Sequence, residues 1–300
     1  MRLNLIADAA PGSGHLVRAF ALAERAIARG WSPTLITRAM IERPPAAWDA
    51  APCPVLIVKD YRGLPEADAV IVDSYRDAGL FPSNPNTIAY DDIALLLAPT
   101  VKAVVNPNVG AERFKYPGHL AACGARYATI RSRFAQIQRE RNGDVQTILV
   151  GLGGTGNLEA WPRIRTALRA YRGATLILYG HRPHPVEWYA VPGCTLRAVH
   201  DYAGAWAAFE QADLAIVGLG VTALECLCVG IPTIAYAIGE NQTPQLPGWR
   251  SYGFPTLSRD IGRRLDPAQL RTWSQQGMAT VDGNGADRVL DIVADTQQQV

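Results

Sequence analysis

The sequence lacks the charge excess that nucleic-acid-binding proteins carry and the long apolar runs that membrane proteins need. Its 300 residues include 29 Lys and Arg against 27 Asp and Glu, for a formal net charge of +2. No block of basic residues interleaved with aromatic ones occurs, so we expect no nucleic-acid partner. No apolar run approaches the roughly 20 residues of a membrane-spanning helix, so we also expect no membrane span.

Cysteine is also scarce, and its pattern argues against a disulfide framework. The chain has five cysteines, an odd number without the spacing of a disulfide-stabilised domain. Cys226 and Cys228 form a C-x-C pair in an apolar stretch, which is more typical of core packing than of metal ligation. The opening stretch MRLNLIADAA is too short for the apolar region of a secretion signal and contains Asn4 and Asp8. We therefore expect a cytoplasmic protein.

The motifs of metal-dependent and covalent catalysis are not found either. The sequence has no H-E-x-x-H, no G-x-S-x-G, no P-loop lysine and no carboxylates at metal-ligand spacing. The stretch GLGGTG (151–156) satisfies the dinucleotide motif, but the next predicted strand, ATLILYGHR, has no acidic residue for a dinucleotide ribose. We expect neither a metal nor an organic cofactor, and we assign Gly153, Gly154 and Thr155 to substrate binding.

Short apolar runs alternate with amphipathic helical stretches, as in α/β proteins with parallel sheets. The polar segment RERNGDVQ (139–146) contains an Asn-Gly turn signal and predicts a linker, after which the pattern restarts. We therefore predict two α/β domains, residues 1–142 and 143–300, with a last helix (286–298) that could pack on either. The predicted strands lie in residues 3–7, 33–37, 54–58, 69–73, 87–91, 102–106, 147–156, 174–180, 213–220 and 232–239.

The segment APGSGHLVRAF joins the first predicted strand to a helix. Gly12 and Gly14 leave backbone N–H groups open at the helix start, where an anion binds favourably. His15 follows directly, and Arg18 comes one helical turn later. A plain tight turn with a solvated histidine is the alternative, but the combination favours a site. We take His15 as a candidate catalytic residue and Gly12, Gly14 and Arg18 as substrate-binding residues.

Acidic side chains end two further predicted strands. VDSYRD supplies Asp73 and Tyr75, and AYDDIA supplies Asp91 and Asp92. Ligands of open α/β sheets bind at the carboxyl ends of the strands. A single Asp there is often a helix N-cap, but several at one edge favour substrate binding, to which we assign Asp73 and Asp92.

The strongest local signal is ADLAIVGLGVTALE, a strand followed by paired glycines and a helix. Gly218, Gly220 and Val221 with the Thr222 hydroxyl suit a diphosphate at a helix N-terminus. Glu225, predicted in the first turn of this helix, would repel phosphate but can accept hydrogen bonds from a ribose diol. The alternative, a capped helix with an acidic first turn, leaves the paired glycines unexplained.

The segment AIGENQTPQ (237–245) follows the next predicted strand. Its Asn241 and Gln242 are neutral donors and acceptors, suited to sugar hydroxyls or amides. We take both as candidate site residues, with Gln242 in substrate binding.

Taken in their order along the chain, the motifs resemble those of one family over nearly the whole length. GSGHLVR, VDSY, YDD, NPN (106–108), GARYATIRSRF (124–134), LGGTG, GLGVTALE, ENQ and DGNGADRV (282–289) are similar to the UDP-sugar hydrolases of the pseudaminic acid pathway. That family resembles the GT-B glycosyltransferases, notably the cell-wall N-acetylglucosaminyl transferase. The resemblance implies two Rossmann-like domains with a nucleotide sugar bound in the cleft.

The resemblance also implies residue roles. His15 would be the general base that activates water to attack the anomeric carbon, with inversion and release of UDP. Thr222 and the neighbouring glycines would hold the diphosphate, and Glu225 the ribose. Asn241 and Tyr75 match positions near the sugar, where we expect catalytic roles. No metal is implied, because helix N-termini can stabilise the leaving UDP.

The chain departs from that family at two places, and rival functions stay open. Gly156 stands where the family usually has an acidic residue, and GLGVT replaces the more usual Gly-Gly-Ser-Thr. The closest rival is an inverting glycosyltransferase, because the same base can deprotonate an acceptor hydroxyl. A binding module without activity would be expected to lose His15. A dinucleotide-dependent oxidoreductase would need an acidic residue for the ribose, and this chain lacks it at the expected strand. The predicted partner is a UDP-sugar substrate, and no oligomeric state is predicted.

Overall fold

Parallel strands form two separate sheets in the computed structural model. The model describes residues 1–7, 14–38, 51–74, 84–92, 101–153, 158–180, 185–199, 204–257 and 264–297. The chain divides into two compact units, which we call the N-terminal unit (Met1–Ser132 with Gly283–Val300) and the C-terminal unit (Arg133–Asp282). The predicted α/β class with parallel sheets is confirmed.

The N-terminal unit contains a seven-stranded sheet in the order β3-β2-β1-β4-β5-β6-β7. Its central strands are aliphatic and buried along their length, as is typical of parallel sheets covered on both faces. The strands are β1 (Arg2–Ala7), β2 (Ser32–Arg38), β3 (Val55–Val58), β4 (Ala69–Asp73), β5 (Thr87–Tyr90), β6 (Ala103–Asn106) and β7 (Leu120–Cys123). The helices of this unit are α1 (Gly14–Ala28) and α8 (Gly285–Gln297), with 3-10 turns at Ala111–Arg113 and Ala125–Tyr127.

The C-terminal unit contains a five-stranded sheet in the order β10-β9-β8-β11-β12. Its strands are β8 (Thr147–Gly151), β9 (Thr175–Tyr179), β10 (Thr195–Val199), β11 (Leu214–Gly218) and β12 (Thr233–Tyr236). Its helices are α3 (Trp161–Leu168), α4 (Gly204–Gln211), α5 (Val221–Val229), α6 (Leu246–Ser251) and α7 (Pro267–Thr280), with 3-10 turns at Val186–Tyr189 and Glu240–Gln245. The short helix α2 (Ser132–Gln136) spans the division between the units.

The strand order places Asp73 and Gly218 at positions where ligands commonly bind in α/β sheets. In the N-terminal sheet the order reverses direction between β1 and β4, and in the C-terminal sheet between β8 and β11. Ligands of open α/β sheets bind beyond the carboxyl ends of the strands at such reversals. Asp73 ends β4 and Gly218 ends β11, so both lie at these points.

Two edge strands, β7 and β10, were not predicted. β7 reads LAAC, and its residues have weak strand preference; β10 contains Arg197 and is half-exposed. Each pairs with a neighbour on one side only, and neither carries the run of β-branched aliphatic residues that marks the central strands.

The units differ from the predicted domains at their boundaries. The last helix, α8, belongs with the N-terminal unit, whereas the predicted second domain ran to residue 300. Arg25 of α1 donates to Asp287 of α8 at 2.5 Å, and Arg29 donates to Asp291 at 2.8 Å. Complementary charges on the two helices therefore fix the position of α8.

The predicted linker is in fact anchored within the C-terminal unit by Arg141. This side chain is buried, and its guanidinium donates to the carbonyls of Phe209 and Ala212 at the end of α4 and of Val229 at the end of α5. The Arg141 backbone N–H donates to the Ser274 hydroxyl at 2.9 Å. A cation at two helix C-termini is favourable, because their carbonyls lack helical partners.

Replacing Arg141 should destabilise the protein strongly. Burial and the charge of Arg139 lower the pKa of Arg141 to about 10, so the side chain is charged at neutral pH. Arg141→Ala leaves several buried carbonyls without a donor, and we expect it to lower the free energy of unfolding by about 3 kcal/mol or more. Urea denaturation measures this. Arg139→Ala is the control, because its side-chain bond is exposed and should change stability by less than about 0.5 kcal/mol.

Candidate active site

Polar side chains from α1, β4 and the segment after β5 meet at the carboxyl ends of the strands of the N-terminal sheet. His15 is the second residue of α1, and Asp73 is the last residue of β4. The His15 Nδ1 lies 2.5 Å from the Asp73 Oδ1. The two residues are 6% and 5% exposed, so the pair is largely shielded from water.

The contacts of His15 decide which ring nitrogen carries the proton. Asp73 is acceptor-only when ionised, so Nδ1 must donate to it. The Arg18 Nη2 lies 3.1 Å from the same nitrogen, but guanidinium nitrogens only donate. Both groups therefore donate to the Asp73 carboxylate, and a neutral His15 ring has its lone pair on Nε2.

Arg18 bridges two buried carboxylates. Its Nε and Nη2 each donate to Asp73 at 2.7 Å, and its Nη1 donates to Asp92 at 2.8 Å. Its guanidinium carbon also lies 5.1 Å from the centroid of the Tyr90 ring, within cation–π range. Because Arg18 is three positions after His15 on α1, both side chains project from one helix face.

The charges of this cluster explain why Asp73 stays ionised. Burial alone raises the pKa of Asp73, but the charges of Arg18 and His15 and their hydrogen bonds outweigh burial and lower it to about 2. Arg18 offers one positive charge against the carboxylates of Asp73 and Asp92. The four side chains are thus balanced in charge only when His15 is protonated, an arrangement that stabilises an imidazolium formed during a reaction.

In the C-terminal unit, the N-terminus of α5 directly follows the glycines after β11. Gly220 precedes the helix with φ 152°, a backbone conformation that L side chains rarely adopt, and no side chain caps the helix. Thr222 is the second residue of α5. The first-turn N–H groups and the Thr222 hydroxyl therefore offer an anion-binding position of the expected type.

Packing against Ile238 accounts for the glycines beside this turn. A Cβ on Gly218 would lie 1.9 Å from the Ile238 Cδ1, and a Cβ on Gly153 would lie 2.5 Å from the same atom. Gly153 also has φ +73°, in the left-handed region that favours glycine. Gly218 and Gly153 thus have a structural explanation, which the sequence did not offer.

Gln242, in the 3-10 turn Glu240–Gln245, lies beside Ile238 and the N-terminus of α5. Its Oε1 accepts a hydrogen bond from the Ile238 N–H at 2.9 Å, which leaves the amide NH2 as the donor end. The Nε2 lies 3.7 Å from the position that a Cβ on Gly220 would occupy. The amide therefore adds donors beside the N-terminus of α5.

Glu225 differs from the prediction in position. It is the fifth residue of α5, so it lies beyond the first turn, and it is 1% exposed. Its carboxylate interacts with other groups of the protein. A ribose that bound to Glu225 would have to reach a buried carboxylate.

Several predicted site residues fall outside the described part of the chain. Gly12, Tyr75, Gly154 and Thr155 lie outside it, and for Asn241 only the backbone, within the 3-10 turn, is described. The structure brings His15, Arg18, Asp73 and Asp92 together in one cluster, and Gly14 begins the same helix.

Sequence reasoning missed two groups that support this cluster. The Tyr90 ring contacts Arg18, and the Asn108 side chain reaches Asp92. Both are polar residues at or just after a strand end, which is the signal that identified Asp73 and Asp92.

Two kinds of feature are absent from the described residues. Within them, no three His, Cys, Asp or Glu side chains are grouped so as to hold a metal ion. No helix among them is long and apolar enough to cross a membrane.

Comparison with solved structures identifies relatives in fold. The chain is similar to MurG of Acinetobacter baumannii, with a TM-score of 0.65 and 15% identity over 98% of this chain and 100% of that one. The calicheamicin glycosyltransferase CalG4 has a TM-score of 0.60 and 12% identity, over 100% of this chain and 99% of that one. The glycosyltransferase SnogD from Streptomyces nogalater has a TM-score of 0.60 and 14% identity, over 97% of this chain and 99% of that one. These likenesses confirm the GT-B-like fold class; no protein-family model and no curated protein matches the chain.

The Asp73 carboxylate should make stability depend on pH in the acid range. Its pKa in the folded protein lies below the value of about 3.9 for an unfolded chain, so the unfolded state binds more protons between the two values. The free energy of unfolding should therefore fall as the pH drops from about 4 toward 2. Asp73→Asn should flatten this dependence in urea titrations across that range. An equal slope in both proteins would contradict the assignment.

Proposed function

We propose that the protein is an enzyme acting on a UDP-linked sugar, with His15 as the general base. The observation that carries the proposal is the buried Asp73–His15 pair, in which the carboxylate holds Nδ1–H and leaves the lone pair on Nε2. The likeness in fold to glycosyltransferases along nearly the whole chain supports chemistry at a glycosyl group.

The reaction we favour is hydrolysis with inversion. The His15 Nε2 takes a proton from water, and the water oxygen bonds to the anomeric carbon. The bond from that carbon to the UDP oxygen breaks, and its electron pair leaves with UDP. One displacement inverts the anomeric centre. Asp73 stabilises the imidazolium, as in other carboxylate–histidine pairs, and such base catalysis contributes about 10²–10⁴-fold.

The N-terminus of α5 is the proposed position of the diphosphate. Its uncapped first turn, the Thr222 hydroxyl and the Gln242 amide are donors near one another. Backbone N–H groups fixed before the reaction stabilise the charge that develops on departing UDP. This arrangement requires no metal ion.

The substrate we propose is a UDP-linked diacetamido-trideoxy sugar, released free for nonulosonic acid synthesis. Support comes from the resemblance of the ordered motifs to the hydrolases of that pathway. Asn241 and Tyr75 are the proposed contacts to the sugar, and Glu225 the proposed contact to the ribose.

Transfer of the sugar to an acceptor hydroxyl is the second candidate. Two of the similar structures, CalG4 and SnogD, are glycosyltransferases. The same base would then remove the proton of an alcohol, so the chemistry at His15 is unchanged and only the acceptor differs.

Proton NMR of the purified protein with the UDP-linked sugar, in buffer without an acceptor, tests the proposal. We expect UDP and free sugar in equal amounts, with the sugar first formed in the inverted configuration. His15→Ala should lower kcat by about 10²–10⁴-fold with little change in UDP affinity. His119→Ala is the control, because that ring bonds to the Val101 carbonyl away from the cluster. UDP binding without turnover would favour transfer, and loss of UDP affinity in His15→Ala would contradict the base role.

Calorimetry with UDP and its 2′-deoxy analogue tests the ribose contact. If Glu225 accepts from the ribose diol, the wild type should bind UDP about tenfold more tightly than the analogue, because hydrogen bonds to charged groups contribute about 1.5–3 kcal/mol. Glu225→Gln should reduce this preference. An unchanged preference would remove Glu225 from the ribose site.

Removal of metal ions should leave turnover intact. Chelation by EDTA, followed by the NMR assay, measures this, and the expected rate equals that of untreated protein. Activity lost on chelation and restored by Mg²⁺ would overturn the metal-independent proposal.

A further inference from the structure

A second layer of hydrogen bonds lies behind the Asp73–His15 pair and holds Asp92. The Asn108 Nδ2 donates to the Asp92 carbonyl at 3.1 Å and to the Asn106 Oδ1 at 3.0 Å. Asn106 is the last residue of β6, Asn108 lies two residues later, and both are buried. The backbone at Asp92 is therefore fixed by side chains from the neighbouring strand.

The residue before Asp92 is held from the same side. The Tyr116 hydroxyl donates to the Asp91 carbonyl at 3.2 Å and accepts from the Asn106 Nδ2 at 3.0 Å. The carbonyls of Asp91 and Asp92 thus both accept hydrogen bonds from side chains that meet at Asn106. These contacts hold the backbone at Asp91 and Asp92, and the Asn108 Nδ2 also lies 3.5 Å from the Asp92 Oδ1.

Asp92 in turn fixes the guanidinium of Arg18. Both Asp92 oxygens accept from Arg18, the Oδ1 from Nη1 and the Oδ2 from Nη1 and Nη2, all at 2.8 Å. The remaining Arg18 donors go to Asp73, whose Oδ1 also accepts from the His15 ring. If Asp92 lost its charge, Arg18 would turn toward Asp73 and compete with His15 for that oxygen.

We propose that Asp92, held by Asn108, is a positioning residue for His15: it keeps Arg18 shared between two carboxylates, and so keeps the Asp73 oxygen aligned with the His15 Nδ1–H. The inference rests on the proposed role of His15 as the base. It assigns Arg18, Asp73 and Asp92 to holding the base rather than to binding substrate.

The test is Asp92→Asn, read by two independent measurements. Nitrogen-15 NMR of the histidine rings at about pH 8, where an ordinary histidine is neutral, reports which ring nitrogen carries the proton. His15→Ala identifies the His15 signals. We expect the proton on Nδ1 in the wild type and on a mixture of Nδ1 and Nε2 in Asp92→Asn. We also expect kcat for the UDP-linked sugar to fall by about 10- to 100-fold with unchanged UDP affinity, since small misplacements are costly in rate.

The control removes a carboxylate from a different arginine. Asp291→Asn breaks the pair with Arg29, in which the Asp291 side chain is 62% exposed, and it should change neither the ring signals nor kcat. Asn108→Ala is the second variant, which decides the matter if Asp92→Asn does not fold. It should shift the His15 proton in the same direction but to a smaller extent.

An unchanged His15 ring proton in the folded variants would overturn the proposal, as would an unchanged kcat in an active enzyme. If the wild type shows no turnover of the UDP-linked sugar, the proposed function fails but the ring signals still decide the positioning role. A shifted ring proton then supports the positioning of His15, and an unshifted one overturns it.

Discussion

The buried guanidinium of Arg18 is the interaction on which the N-terminal site depends. Two carboxylates from neighbouring strand ends lie close together away from water, where unpaired charges are costly. A cation between them makes their burial tolerable and leaves one oxygen of Asp73 for the His15 ring. One cation does not balance both carboxylates, so the cluster favours the positive charge that His15 gains when it takes a proton.

Two of the buried arginines, Arg18 and Arg141, solve different physical problems. Arg18 pairs with carboxylates, so its position is coupled to groups that carry charge. Arg141 donates to neutral carbonyls at the ends of α4 and α5, so it completes hydrogen bonds that the helices cannot make themselves. The first arrangement suits a site where charge changes during a reaction, and the second suits a fixed support for α5.

The sequence was informative about the fold because strand interiors and the glycine-rich turns that follow them leave strong patterns. Buried runs such as AVIVD were found in place, while the edge strands β7 and β10 were not, since LAAC lacks β-branched residues and TLRAV is interrupted by Arg197. For the site, the loop before α1 singled out His15 and Arg18, and the strand ends singled out Asp73 and Asp92, as separate motifs. Their mutual pairing was not predictable, because a pattern along the chain does not show which oxygen faces which nitrogen. The close packing of Ile238 against Gly218 and Gly153 was hidden for the same reason.

The return of α8 to the N-terminal unit gives the two units different histories during synthesis. The C-terminal unit, Arg133–Asp282, is one continuous segment, so its sheet and helices are all available once that segment has left the ribosome. The N-terminal unit is made of two segments. Arg25 of α1 and Arg29, just after that helix, meet their acidic partners only after residues 283–297 have been made. The unit begun first is therefore completed last, and α1 keeps an uncovered face throughout the intervening translation.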